Sequence, residues 1–184
     1  GLGTNHSVPR LMAGQSAIIG VGGLGHIALQ SLQAISGARI IAIDREPGAQ
    51  VLAKELGADF VVSGEGDVVE EVKQISGGGC QVVLDFVGEL GVENLAWKMV
   101  RGGGQLLVIG YGGEIHVPTL HLVTAEINVG GSLVGNYTEL VELMELNADG
   151  KVKMHYTQYG LDDINTALDD FKNRRFSGRG VIVP

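Results

Sequence analysis

The sequence has one cysteine, few basic residues and no long apolar run, and each shortage argues against a class of protein. Because Cys80 is the only cysteine among the 184 residues, an internal disulfide is impossible, and a reducing, cytoplasmic location is expected. Lys and Arg total 13 against 21 Asp and Glu, so the net charge is -8 and nucleic acid is not an expected partner. No apolar stretch reaches the length of a membrane span, so no membrane partner is expected either.

Glycine, in contrast, is abundant at 30 residues, and one cluster of it separates two apolar runs. Segment 16–44 has the pattern of a strand, a glycine turn, a helix and a second strand. The turn GVGGLG, at positions 20–25, has the form G-x-G-x-x-G. The helix that follows is predicted to bury one face and to end at Gly37. The apolar residues of that face are Ile27, Leu29, Leu32 and Ile35.

This turn predicts a dinucleotide site because each of its glycines has a physical task. Gly20 permits a tight turn, Gly22 lets a pyrophosphate approach the backbone, and Gly25 lets the helix pack close to the strand. Gly23 and Leu24 complete the turn, and the helix N-terminus presents free amides to phosphate groups.

The second strand ends in Asp44, about 20 residues past the glycines, where a carboxylate accepts hydrogen bonds from ribose hydroxyls. An acid at this position favours NAD over NADP. Its neighbour Arg45 could stack on adenine or could accommodate a 2′-phosphate. Another acid, Asp85, lies near the end of the fourth predicted strand, where a structural or cofactor-side hydrogen bond is favoured over a catalytic role.

Strand and helix patterns alternate five times, which predicts an α/β fold: a doubly wound, parallel, six-stranded sheet (the Rossmann fold) with helices on both faces. The Rossmann domain is expected to span 16–150, followed by a strand–helix–strand tail, 151–184, that packs on it. Segment 112–124 is expected to be a loop. Later strands are predicted near 60–62, 81–86, 105–109, 127–134, 152–157 and 180–183, and later helices near 49–56, 67–75, 92–100, 138–147 and 162–173.

An ordered set of motifs carries a family resemblance. These are GVGGLGHIALQ from 20, KELGAD from 54, LDFVG from 84, GGGQLLVIG from 102, GSLVGN from 131 and GRGVIVP from 178. The set resembles the coenzyme domain of zinc-dependent, medium-chain alcohol dehydrogenases, and in particular the microbial secondary-alcohol dehydrogenases. The resemblance covers essentially the whole chain.

The resemblance implies roles for residues outside the glycine turn. Leu24 and Thr4 match positions beside the nicotinamide ring, and Val87 and Gly88 match positions that line the adenosine site. Arg179 matches an arginine that reaches the pyrophosphate, a role that suits a planar cation. Backbone positions around the nicotinamide and its carboxamide are matched by Ile109, Gly110, Tyr111, Ser132 and Val134.

The resemblance also implies a missing half. Family members carry a GroES-like catalytic domain with a catalytic zinc, and nothing in this sequence resembles it. Residues 1–15 are therefore expected to be a lead-in segment from that domain. Cys80 and the five histidines offer no zinc-ligand spacing. We expect NAD as the cofactor, zinc only in the catalytic domain, and neither a catalytic residue nor a metal site in this chain.

The favoured function is hydride transfer between NAD and a primary or secondary alcohol in the complete protein, with this chain alone inactive. Two alternatives remain: a zinc-free quinone or enone reductase of the same broad family, and a non-catalytic dinucleotide-binding sensor. The sixth strand, Ile127 to Val134, is expected at a sheet edge and carries no Lys or Pro. Pairing of this edge with a second copy predicts a homodimer or tetramer.

Overall fold

Six parallel strands form the main sheet in the computed structural model, which describes residues 14–184. Their order is β3-β2-β1-β4-β5-β6, so the chain reverses direction across the sheet between β1 and β4. This order confirms the doubly wound fold. The predicted role of Thr4 lies outside the described residues. The strands are β1 (Gln15–Ile19), β2 (Arg39–Asp44), β3 (Phe60–Ser63), β4 (Cys80–Asp85), β5 (Val100–Val108) and β6 (Asn128–Gly131).

Helices connect the strands, and the last two strands form a small parallel sheet of their own. A 3-10 turn, Trp97–Met99, follows α4, and another, Leu161–Asp163, precedes α7. The remaining elements are α1 (Gly25–Ile35), α2 (Pro47–Glu55), α3 (Val68–Ser76), α4 (Val92–Ala96), α5 (Thr119–Ala125), α6 (Tyr137–Ala148), β7 (Tyr156–Gly160), α7 (Ile164–Lys172) and β8 (Arg179–Val183).

The core lies on both faces of the sheet, as a buried parallel sheet requires. Because side chains alternate along a strand, Ala17 and Ile19 of β1 pack with residues of α3 on one face. Ile18 packs on the other face with Leu29 of α1 and Ala53 of α2. The predicted placement of helices on both faces is therefore confirmed.

Helix α1 differs from its predicted face because two polar side chains are buried and one of the predicted apolar residues is exposed. Ile35 is 66% exposed, whereas His26 and Gln30 are buried. The helix also ends one residue early: Ser36 is its C-cap and donates its backbone N–H to the Leu32 carbonyl, so the predicted end at Gly37 is wrong.

Gln30 and His26 attach the start of the tail to α1. The Gln30 amide donates to the Lys153 carbonyl and accepts from the Lys153 N–H, both at 2.9 Å. His26 Nε2 accepts from the His155 N–H at 3.1 Å, while Nδ1 lies 2.8 Å from the Gly22 carbonyl. Since a carbonyl only accepts, the His26 proton must reside on Nδ1, and the ring is neutral.

Several predicted boundaries are corrected. Strand β5 begins at Val100 and continues through glycines 102–104, which were expected to separate it from a helix; a register shift against β4 accommodates them. The expected loop 112–124 contains most of α5. Strand β6 is four residues long and ends before Val134, whose φ of 45° lies in the left-handed region. The first strand of the tail lies at 156–160 rather than 152–157.

Candidate cofactor site

A cavity of about 560 Å³ opens at the carboxyl ends of β1, β2 and β4. This is the point where the strand order reverses, and ligands of open α/β sheets bind there. The glycine turn forms its floor, Asp44 and Arg45 line one side, and the segment after α7 lines another.

The glycine turn has a shape that only glycine allows. Gly20 has a φ of 88°, and a Cβ added to Gly25 would lie 1.8 Å from the Gly20 carbonyl oxygen. The first turn of α1 therefore packs directly on the end of β1. At Gly22, in contrast, an added Cβ would meet nothing within 4 Å. The backbone there is open, as the approach of a pyrophosphate requires.

The N-terminus of α1 is free to bind an anion. Its N-cap, Leu24, makes no side-chain capping bond, and no acidic residue lies in the first turn. Within residues 14–184, the amides of Gly23 and Leu24 donate to no protein acceptor. Unpaired amides at the positive end of the helix dipole, beside open space, fit a phosphate group.

Asp44 faces this turn from the end of β2. Its Oδ2 accepts from the Val21 N–H at 2.7 Å, and its Oδ1 accepts from the Glu46 N–H at 2.9 Å. These two bonds fix the carboxylate at the cavity. Because each carboxylate oxygen has a further lone pair, both can still accept bonds from a pair of vicinal hydroxyls.

Arg179 brings a cation from the tail onto the glycine turn. A Cβ added to Gly23 would lie 2.9 Å from the Arg179 Nε, so the side chain crosses directly over that glycine. The backbone N–H of Arg179 donates to the His155 carbonyl at 3.0 Å, which fixes the start of β8. Arg179 thus lies beside the amides that would receive a diphosphate.

The predicted residues divide into two groups. Gly20, Gly22, Gly23, Leu24, Gly25, Asp44, Arg45, Val87 and Arg179 line the cavity. The others lie beyond its wall, along the carboxyl ends of β4, β5 and β6. They are Gly88, Ile109, Gly110, Tyr111, Ser132 and Val134.

Asp85 organises this second group without lining the cavity. The carboxyl group is fully buried, and its Oδ1 accepts from the Val87 and Gly88 N–H groups at 2.9 Å. The Asp85 carbonyl accepts from Ile109 and Gly110, which joins the turns after β4 and β5. Burial raises the pKa of Asp85, and the two amides oppose that rise. These bonds match the structural role favoured from the sequence.

Sequence reasoning missed one wall of the cavity. Phe171, Arg174, Phe176 and Ser177, from the end of α7 and the segment after it, line the cavity together with Glu46. The pairing of Arg174 with Glu46 joins positions 128 apart in the chain. A run of Arg-Arg-Phe before the GRG motif was the only signal, and it does not reveal which arginine faces the cavity.

Among residues 14–184, no three His, Cys, Asp or Glu side chains converge as a metal site would require. Burial raises the pKa of Cys80 to about 12, so its thiol stays protonated. In the same part of the chain, no helix is both long and apolar enough to cross a membrane.

The similarity of this chain to known proteins agrees with a cofactor site at the cavity. Residues 23–149 match the family model described as zinc-binding dehydrogenase. An NAD-dependent alcohol dehydrogenase of Sulfolobus acidocaldarius is 38% identical over 170 residues, which are 90% of this chain and 49% of that protein. The chain thus spans about half the length of the relatives it matches.

Two solved structures are similar over nearly the whole chain. The alcohol dehydrogenase of Aeropyrum pernix superposes with a TM-score of 0.90 at 39% identity, covering 96% of this chain and 52% of that one. A quinone oxidoreductase of Pseudomonas syringae gives a TM-score of 0.81 at 26% identity, covering 98% and 59%. With its matched family model, doubly wound sheet and open glycine turn, this chain belongs to the zinc-binding dehydrogenase family.

Proposed function

We propose that this chain binds NAD(H) as the coenzyme half of an alcohol dehydrogenase. The observation that carries the proposal is the open backbone at Gly22, which faces free helix amides, the Asp44 carboxylate and the Arg179 guanidinium within one cavity. A dinucleotide needs hydrogen-bond donors for its pyrophosphate and an acceptor for its ribose hydroxyls, and this cavity offers both.

The residues of the chain would then bind and orient the cofactor. The α1 amides and Arg179 hold the pyrophosphate, and Asp44 accepts from the adenosine ribose. The strand ends at 109–111, 132 and 134 border the nicotinamide, with Leu24 behind the ring. When bound, the nicotinamide supplies the hydride acceptor or donor. Zinc and most of the substrate pocket belong to the other half of the longer protein, and the substrate is a primary or secondary alcohol.

NAD is preferred over NADP because a 2′-phosphate would place negative charge beside the Asp44 carboxylate. A ribose diol would instead donate to that carboxylate. The relative from Sulfolobus acidocaldarius is an NAD-dependent alcohol dehydrogenase, which supports this preference.

The test compares two glycine variants with matched surroundings. An added Cβ meets nothing within 4 Å at either Gly22 or Gly37, and only Gly22 lines the cavity. Gly22→Ala should therefore weaken NADH binding about tenfold or more by blocking the pyrophosphate, whereas Gly37→Ala should leave it unchanged. Calorimetric titration measures both. Equal affinities for the two variants, or no NADH binding by the folded wild type, would contradict the proposal.

Activity measurements distinguish an alcohol dehydrogenase from the second candidate, a quinone reductase. The 26% identical Pseudomonas structure favours this second candidate. We expect the 184-residue chain alone to form no NADH from NAD, zinc and secondary alcohols. The longer protein should oxidise alcohols and lose that activity to a chelator. If the longer protein instead reduces quinones with NAD(P)H and without zinc, its function is that of a quinone reductase.

We further propose that the protein acts in the cytoplasm as a homodimer or tetramer formed through β6. This strand is at the sheet edge, and its Val129 is 40% exposed. Val129→Lys should weaken association because a charge blunts an edge strand. Val123→Lys, on α5 and 74% exposed, is the control, because it adds the same charge away from the strand. Sedimentation should show dimers for the wild type and control; a monomeric wild type would refute this assembly.

A further inference from the structure

Two arginines converge on one carboxylate oxygen at the ribose side of the cavity. The Arg45 Nε lies 3.5 Å from Glu46 Oε1, and Arg174 Nη1 donates to the same oxygen. Arg45 and Glu46 follow β2, whereas Arg174 comes from the segment after α7. All three line the cavity with Asp44.

The charges at this side balance. Asp44 and Glu46 contribute two negative charges, and Arg45 and Arg174 contribute two positive charges. A 2′-phosphate would bring nearly two more negative charges, and guanidinium groups are the side chains best suited to bind it. Both guanidinium groups here already have an acidic partner, and that partner would itself repel the phosphate.

The pairing with Glu46 is not needed to build the fold locally. Glu46 occupies the N-cap position of α2 but makes no side-chain capping bond. The side chains of Glu46, Arg45 and Arg174 are all close to half-exposed, so their ion pairs are weak contributors to stability. The carboxylate can thus be removed without dismantling the helix.

Resting on the proposed binding of NAD, we propose that Glu46 is a second determinant of cofactor selectivity. Asp44 selects the ribose diol by accepting from it, whereas Glu46 acts through its neighbours. It holds Arg45 and Arg174 in ion pairs, within a group of four charges that Asp44 makes neutral, and so withholds both guanidinium groups from a 2′-phosphate. Glu46 is in this sense a positioning residue.

The experiment measures the dissociation constants of NAD⁺ and NADP⁺ by calorimetry for matched carboxylate-to-amide variants. Glu46→Gln should tighten NADP⁺ binding about tenfold by releasing two charge-assisted donors, with NAD⁺ affinity changed less than about twofold. Glu89→Gln is the control: Glu89 lines the same cavity and loses the same charge, but it pairs with neither arginine. Its NADP⁺/NAD⁺ ratio should stay that of the wild type.

Two further variants complete the test. Glu46→Ala removes the carboxylate without adding an amide and should show the same gain for NADP⁺. Adding Arg174→Ala to Glu46→Gln should reverse most of the gain, because the released guanidinium is then absent. An unchanged ratio in both Glu46 variants, or an equal shift in Glu89→Gln, would overturn the inference while wild-type NAD⁺ binding still upheld the proposed function. A wild type that binds no NAD⁺ would overturn both.

Discussion

The two ends of the molecule differ in how completely the chain covers its own apolar surface. Strands β1 to β4 carry α1 and α2 on one face and α3 and α4 on the other, and their central residues are inaccessible to solvent. Beyond β6, the only buried apolar side chains of the described residues are Val152 and Ala167. Helix α6 buries none, and its Tyr137, Leu140 and Met144 are more than half exposed.

This difference separates stability from binding. The first region contains the core that the chain needs to fold. The second supplies Arg174, Arg179 and Phe176 to the cavity and otherwise presents apolar side chains to solvent. Contiguous exposed apolar surface is typical of a face that is covered in a larger assembly. That surface is therefore consistent with the proposed catalytic half as a partner.

Matched leucine substitutions in the two regions are expected to give the largest difference in the free energy of unfolding. Leu29 of α1 is fully buried and Leu140 of α6 is 53% exposed. Leu29→Ala should lower the free energy of unfolding by about 2–5 kcal/mol, because it leaves a cavity in the core. Leu140→Ala should change it by less than about 0.5 kcal/mol. Urea denaturation measures both, and similar losses would show that α6 shares the core after all.

A smaller effect is expected where the two regions meet. Gln30→Ala leaves the N–H and carbonyl of Lys153 without their partners. This should weaken the attachment of the tail to α1 by about 1–3 kcal/mol. Gln33→Ala, on the same helix, removes one exposed bond to Gly57 and is the control. Hydrogen exchange should speed up across 152–160 in Gln30→Ala only. Unchanged protection there would mean that other contacts hold the tail.

The smallest expected effect is a dependence of tail attachment on pH. Burial lowers the pKa of His26 below its ordinary value of 6.5; the bond to Gly22 opposes this, and nearby His155 and Arg179 add to it. The folded state therefore favours the neutral ring. The contribution of the neutral His26 ring to stability is complete above pH 6.5 and is lost as the pH falls through the lowered pKa. The protection factors of the tail amides, which are corrected for the intrinsic pH dependence of exchange, should fall in acid for the wild type and fall less for His26→Gln; identical pH profiles of the protection factors would refute this.

Local patterns explain which parts could be predicted from the sequence. The β1–α1–β2 unit was predictable because apolar runs, a glycine turn and a terminal acid follow one another within 30 positions of the chain. The same local logic failed at α5, which follows a stretch rich in glycine, and at His26 and Gln30. Polar residues on a helix face are expected to face solvent, unless a distant backbone segment supplies their partners.

The tail wall of the cavity was unpredictable for a related reason. Which of Arg174 and Arg175 lines the cavity depends on α7 and on two different carboxylates. Arg174 pairs with Glu46, while Arg175 pairs with Asp170 of the preceding helix α7. Nothing in the local sequence distinguishes the two arginines, since the choice arises from contacts between distant elements.

The attachment of the tail by Gln30 and His26 has a thermodynamic consequence for ligand affinity. If only molecules with an attached tail present Arg174 and Arg179 to the cavity, the apparent dissociation constant equals the intrinsic one divided by the attached fraction. By mass action, bound dinucleotide must in turn hold the tail in place and shield it from proteases. Gln30, which lines no part of the cavity, would then set an upper limit on how tightly the protein can bind its cofactor.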